Sequence, residues 1–83
     1  MDLNGKVALV TGGARRVGRA LSLALARAGA DVVVNYFQSA EAAEQTVADI
    51  VALGRRAIAI QGDVSSKEVA DMLVRRTAET FGR

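Results

Sequence analysis

The chain repeats one pattern three times: a short apolar run, a turn, then a longer stretch with apolar residues at helical spacing. Residues 6–10 form the first run and enter a glycine turn. Residues 17–28 follow, rich in Ala and Leu, with Val17, Leu21, Ala24, Leu25 and Ala28 on one face. Gly29 stands where helices commonly stop. Residues 31–35 read as a second strand because Val32, Val33 and Val34 are β-branched, with Asp31 as an exposed residue at the strand's entry. Ser39 can cap the next helix, with Glu41 and Glu44 near its positive end. That helix turns Ala43, Val47, Ile50 and Val51 inward and ends at Gly54. Residues 56–60 give a third strand. Ser65 or Ser66 opens a third helix, whose apolar stripe is Val69, Met72, Leu73 and Phe81. Strands that are apolar on both sides need cover on both faces. Three strand–helix units with short links therefore predict an α/β protein: a parallel sheet between two helical layers, with right-handed crossovers.

Composition bounds the chemistry. An 83-residue chain has room for one small unit; at this size folding hides only about 60% of the unfolded surface. Half of the residues (51%) are hydrophobic, which favours a folded core over disorder, and aromatics supply only 4%, so the core is aliphatic. No cysteine and no histidine is present. Disulfides, thiolate metal sites, cysteine nucleophiles and the commonest general base are thereby excluded, and no metal is expected. The net charge is +2, and the nine arginines are spread along the chain rather than gathered into one run. Nucleic acid is not the expected partner, since backbone phosphates call for a clustered basic footprint. No apolar run reaches the ~18 residues of a membrane span, and no secretory leader is visible, so the expected location is cytoplasmic.

The chemistry gathers in the turn after the first strand, which reads Val10-Thr11-Gly12-Gly13-Ala14-Arg15-Arg16-Val17-Gly18. A glycine turn between a strand and a helix N-terminus can cradle phosphate, because backbone N–H groups face the ligand and the helix dipole favours negative charge. Gly12 permits the tight turn, and Gly18 lets the helix approach the strand. A glycine turn without a ligand is the alternative. The second strand bears on which ligand. An NAD-type unit places Asp or Glu at that strand's end to hold the ribose 2′-hydroxyl; here the end is Asn35-Tyr36, with no carboxylate to repel a 2′-phosphate. Arg16 would supply attraction, and a charge-assisted hydrogen bond contributes about 1.5–3 kcal/mol. NADP(H) is therefore expected over NAD(H).

Taken together, these residues resemble the short-chain dehydrogenases/reductases, over residues 6–82. The usual fingerprint of that family is Thr-Gly-x-x-x-Gly-x-Gly; this chain has Thr11, Gly12 and Gly18, with Arg16 in place of the middle glycine. It is similar to the variant of pteridine reductases and related NADPH-dependent reductases, in which the arginine at this place reaches the cofactor phosphates. The resemblance implies that role for Arg16, with Arg15 and Val17 beside it; a solvated surface pair is the alternative for the two arginines. The segment Asn35-Tyr36-Phe37-Gln38-Ser39-Ala40 resembles the same group, in which the Ser39 position binds the 2′-phosphate and the Gln38 position is often arginine. Ser39 can serve there and as a helix cap at once. After the third strand, Asp63 implies an acceptor for the adenine amino group and Val64 a backbone contact; a turn aspartate capping the next helix is the alternative.

The resemblance also implies what to expect of the fold and the reaction. The fold is a Rossmann-type β-α-β-α-β-α portion with strand order 3-2-1-4 in the complete domain, so residues 1–83 are the N-terminal part of one NADP(H)-binding domain, cut after Arg83. The family's Asn-Asn-Ala-Gly turn and its later Ser, Tyr and Lys are not in this chain, which therefore carries no catalytic residue; Tyr36 lies at the adenosine end and is no substitute. The complete protein would pass hydride between nicotinamide and a small carbonyl-type substrate and would form a homo-oligomer. A non-catalytic nucleotide-binding fragment or an inert truncated product is the alternative. With the first strand at an edge, the isolated chain is expected to be unstable or to associate.

Overall fold

The structure is a computed structural model and describes residues 2–12 and 14–82. Gly13 of the glycine turn and Arg83 lie outside the described residues. The elements are β1 (Val7–Val10), α1 (Arg16–Arg27), β2 (Asp31–Tyr36), α2 (Ala40–Ala52), β3 (Ala57–Gln61) and α3 (Lys67–Phe81). All six fall where the sequence places them, within a residue or two at their ends.

The three strands form one parallel sheet in the order β1-β2-β3. Val10 lies opposite Val34, and Val34 opposite Ala59, so the three strands end along one edge of the sheet. β2 is central, and Asp31 to Asn35 are all buried. Its valines alternate as a strand requires. Val32 and Val34 join Val10, Ala14, Ala26, Ala43 and Ile50 in a core beneath α1 and α2. Val33 joins Ile60, Leu73 and Phe81 in a second core beneath α3. Helices thus cover both faces, which is the three-layer Rossmann-type arrangement. Ile50 and Leu73 are almost fully buried, and each such side chain stabilises the fold by roughly 1.5–3 kcal/mol.

Two helical faces differ from the expected ones. In α1 the buried residues are Ser22 and Ala26, whereas Val17 is 81% exposed, Leu21 49%, and Ala24 is exposed too. Small residues let α1 lie close on the sheet, and the Ser22 hydroxyl is accommodated there by donating to the Gly18 carbonyl at 2.8 Å. In α2, Ala43, Thr46 and Ile50 point inward with Val47 half-buried, but Val51 is 53% exposed. β1 pairs with β2 alone among the described residues, so its other side is an open edge.

Asp31 is a third correction. It is buried, not exposed. Its carboxylate accepts from the Arg56 backbone N–H at 3.0 Å and from Arg56 Nε and Nη2 at 3.1 and 2.9 Å. Burial alone would raise its pKa, but these bonds and the nearby Arg56 and Arg55 charges outweigh that and hold the group below the usual carboxylate range. The Arg56 guanidinium also lies 5.0 Å from the Phe81 ring centre, a cation–π contact. One side chain thus ties the starts of β2 and β3 to the end of α3.

Candidate functional site

The site lies at the edge where the strands end. Gly12, two residues beyond β1, has φ +64°, a left-handed conformation that glycine takes without steric penalty. The turn then rises into α1. Among the described residues no side chain caps that helix, and its first turn holds no acidic residue. Its N-terminal N–H groups and positive dipole end therefore favour an anion.

A groove of about 270 Å³ opens beside the turn, lined by Gly12, Ala14, Arg15, Tyr36, Phe37, Gln38 and Ser39. The surface continues past Ser39 to Ala40, Glu41 and Ala42 at the start of α2. Across the groove Arg15 Nη1 donates to Ser39 Oγ at 3.2 Å. Ser39 occupies the N-cap position of α2, yet its hydroxyl makes no cap bond and accepts from Arg15 instead. The Phe37 carbonyl accepts from Gln61 Nε2 at 3.1 Å, which steadies the groove wall against β3.

Asn35 apart, the residues singled out in the sequence divide into three groups. Gly12, Arg15, Tyr36 and Ser39 come together around the groove. Arg16, Val17 and Gly18 lie in the first turn of α1 and do not line it. Arg16 is exposed and has φ +52°, the only non-glycine residue among those described with a positive φ. The position where the family fingerprint has glycine keeps glycine's conformation here, while Arg15 holds the place beside Ser39 that the sequence suggested for Arg16. Asp63 and Val64 lie beyond the end of β3, exposed at the same sheet edge but outside the groove. Asp63 Oδ1 accepts from the Ser65 N–H at 2.9 Å, and bonding to Ser65 keeps its pKa low. Ser66, not Asp63, caps α3, its Oγ accepting from the Val69 N–H. Gly62, between β3 and Asp63, must be small: a Cβ there would sit 2.5 Å from Val69 Cγ1.

Asn35 is 2% exposed and its side chain turns inward. Its Nδ2 donates to the carbonyls of Ile60 (3.2 Å) and Gly62 (3.1 Å), and its Oδ1 accepts from the Gly12 N–H at 3.4 Å. It therefore joins the ends of all three strands from below the groove. Phe37 and Gln38 also line the groove; the sequence marked them only within the resembling segment, and it missed Arg19 and Thr46 as supports. Thr46 left a signal: with Ala43 and Ile50 it shares the inward spacing of α2, a polar side chain in an apolar series.

A parallel three-layer sheet with a glycine turn at its C-terminal edge defines a nucleotide-binding α/β unit. The model of the short chain dehydrogenase family matches residues 6–83, and the chain belongs to that family. It is 46% identical over all 83 residues to a hydroxynaphthalene reductase of Aspergillus fumigatus, of which it covers 30%. It is 48% identical over 98% of its length to a 3-oxoacyl-[acyl-carrier-protein] reductase of Synechocystis, of which it covers 33%. Among solved structures, a short chain dehydrogenase from Burkholderia cenocepacia in complex with NADP superposes with a TM-score of 0.94 at 52% identity, over 99% of this chain and 34% of that one. The chain thus spans about a third of the length of these relatives.

Proposed function

We propose that this chain is the adenosine- and pyrophosphate-binding part of an NADP(H)-dependent short-chain oxidoreductase. The observation that carries the cofactor choice is the Arg15–Ser39 contact: a cation and a hydroxyl meet across the groove at the end of β2, where an NAD-type site would need a carboxylate. The groove residues fit a phosphorylated ribose, since Arg15 and Ser39 can both donate to it. The uncapped start of α1 fits the pyrophosphate, and Asp63 and Val64 take the adenine edge. The Burkholderia relative holds NADP with the same fold. The bound dinucleotide would carry the hydride, given or taken; the residues present here bind and orient its adenosine half. The small carbonyl-type substrate, the homo-oligomer and a cytoplasmic setting belong to the complete protein on the same reading.

The test is a pair of titrations. Arg15→Ala should weaken NADPH binding about ten- to hundredfold, the worth of a charge-assisted hydrogen bond, and leave NADH binding within about threefold. Equal losses for both would remove Arg15 from the 2′-phosphate site. Absence of binding to either by the unmodified chain would reject the reading.

A further inference from the structure

The glycine turn is held from the α2 side by a buried threonine. Thr46 is fully buried, 32 residues from its contact in the turn. Its hydroxyl lies 3.1 Å from the Ala14 carbonyl and 2.8 Å from the Ala42 carbonyl, and shares its proton between them. The hydroxyl oxygen accepts from Arg19 Nη1 at 3.1 Å. Arg19 Nη2 in turn pairs with Asp49 Oδ2, and Gln45 Nε2 donates to Asp49 Oδ1 at 2.9 Å. The Arg19 hydrogen bond, and then that of Gln45, keep Asp49 ionised by lowering its pKa. A chain of polar contacts thus runs from the surface of α2 through α1 to the backbone of the turn.

We infer that Thr46, oriented by Arg19 and Asp49, is a positioning residue that fixes the turn for phosphate binding. Among the described residues the turn has two anchors. Asn35 takes the Gly12 N–H from β2, and Thr46 takes the Ala14 carbonyl from α2. With Ala14 held inward, Arg15 follows at the groove, its side chain donating to Ser39 Oγ. Arg19 gives the hydroxyl oxygen a charged donor, which leaves its single proton for the two carbonyls. A ligand meeting a turn already in place loses less conformational entropy on binding.

This inference rests on the nucleotide-binding reading for its purpose, but not for its first test. Amide hydrogen exchange on the free chain reads the turn directly. Thr46→Val keeps the shape, removes the hydroxyl and leaves the Ala14 carbonyl without it. It should speed exchange about tenfold at the Gly12 and Arg19 amides, which donate to Asn35 Oδ1 and the Arg15 carbonyl at the two ends of the turn, the loss of one buried hydrogen bond, with the Val32, Val33 and Val34 amides unchanged. Thr46→Ser should restore protection. Unchanged turn amides, or equal acceleration in turn and strand, would overturn the inference. If Thr46→Val does not fold, Arg19→Lys decides in the same way, because it breaks the two-pronged link to Thr46 and Asp49 and keeps the charge. In a second arm, Thr46→Val should weaken NADPH and NADH alike, about five- to tenfold. A loss confined to NADPH would also overturn it. If the unmodified chain binds no dinucleotide, the functional reading fails while the exchange result still decides the role of Thr46.

Discussion

Arg16 and Arg15 are neighbours of the same type with different tasks. Arg16 sits in the left-handed region, which costs a residue with a Cβ roughly 1–2 kcal/mol. Its exposed side chain makes no contribution to the groove wall. Arg16→Gly should therefore stabilise the chain by about 1 kcal/mol, raising the thermal midpoint by roughly 4–8 °C for a unit of this size. A lower midpoint in a melting experiment would show that the arginine side chain contributes more than the strain it carries. The sequence announced the chemistry of this pair, two cations at a phosphate turn, but not which one faces Ser39. That choice depends on the direction in which the chain leaves the turn, and direction is set by dihedral angles rather than by residue type.

At the scale of elements, Arg56 does for the far end of the sheet what Asn35 does for the near end. Asp31 is its buried partner, and folding lowers the Asp31 pKa. The folded state therefore binds that proton less readily than the unfolded chain does. The stabilisation is complete above the unfolded value, near pH 4, and fades as pH falls through the lower folded value. Asp31→Asn should cost about 1.5 kcal/mol at pH 7, the low end for a charged hydrogen bond because Arg56 is 59% exposed. Urea titrations of both proteins should show the gap closing below pH 4; a gap that stays constant with pH would remove the ion pair as its cause. Element type and order were legible from period and punctuation alone: β-branched runs, glycine stops and helical spacing agree in all three units. Helix faces were less so. Periodicity in α1 correctly marks an apolar stripe, Val17, Leu21 and Ala24, but cannot say what that stripe packs against; the sheet instead receives the small residues Ser22 and Ala26. Asp31 was misread because its partner lies 25 residues away, and no local pattern reports a pairing at that distance.

On the scale of the whole molecule, the open side of β1 and the bare stripe of α1 belong to the same unit. Unpaired strand backbone and exposed Val17 and Leu21 together predict that the 83-residue chain associates with itself at micromolar concentration. Sedimentation should show species larger than a monomer, and Val17→Lys with Leu21→Lys should shift them toward the monomer. A monomeric sample that melts cooperatively would refute this. The two anchors of the glycine turn carry a different consequence, for the order of folding. Asn35 and Thr46 reach it across 23 and 32 residues respectively, contacts as non-local as the pairing of the strands themselves, so the turn is set only as the sheet forms. On a ribosome the phosphate cradle can close once β3 has emerged, because Asn35 is itself held by the Ile60 and Gly62 carbonyls, and every later part of a longer chain would then assemble against a finished template.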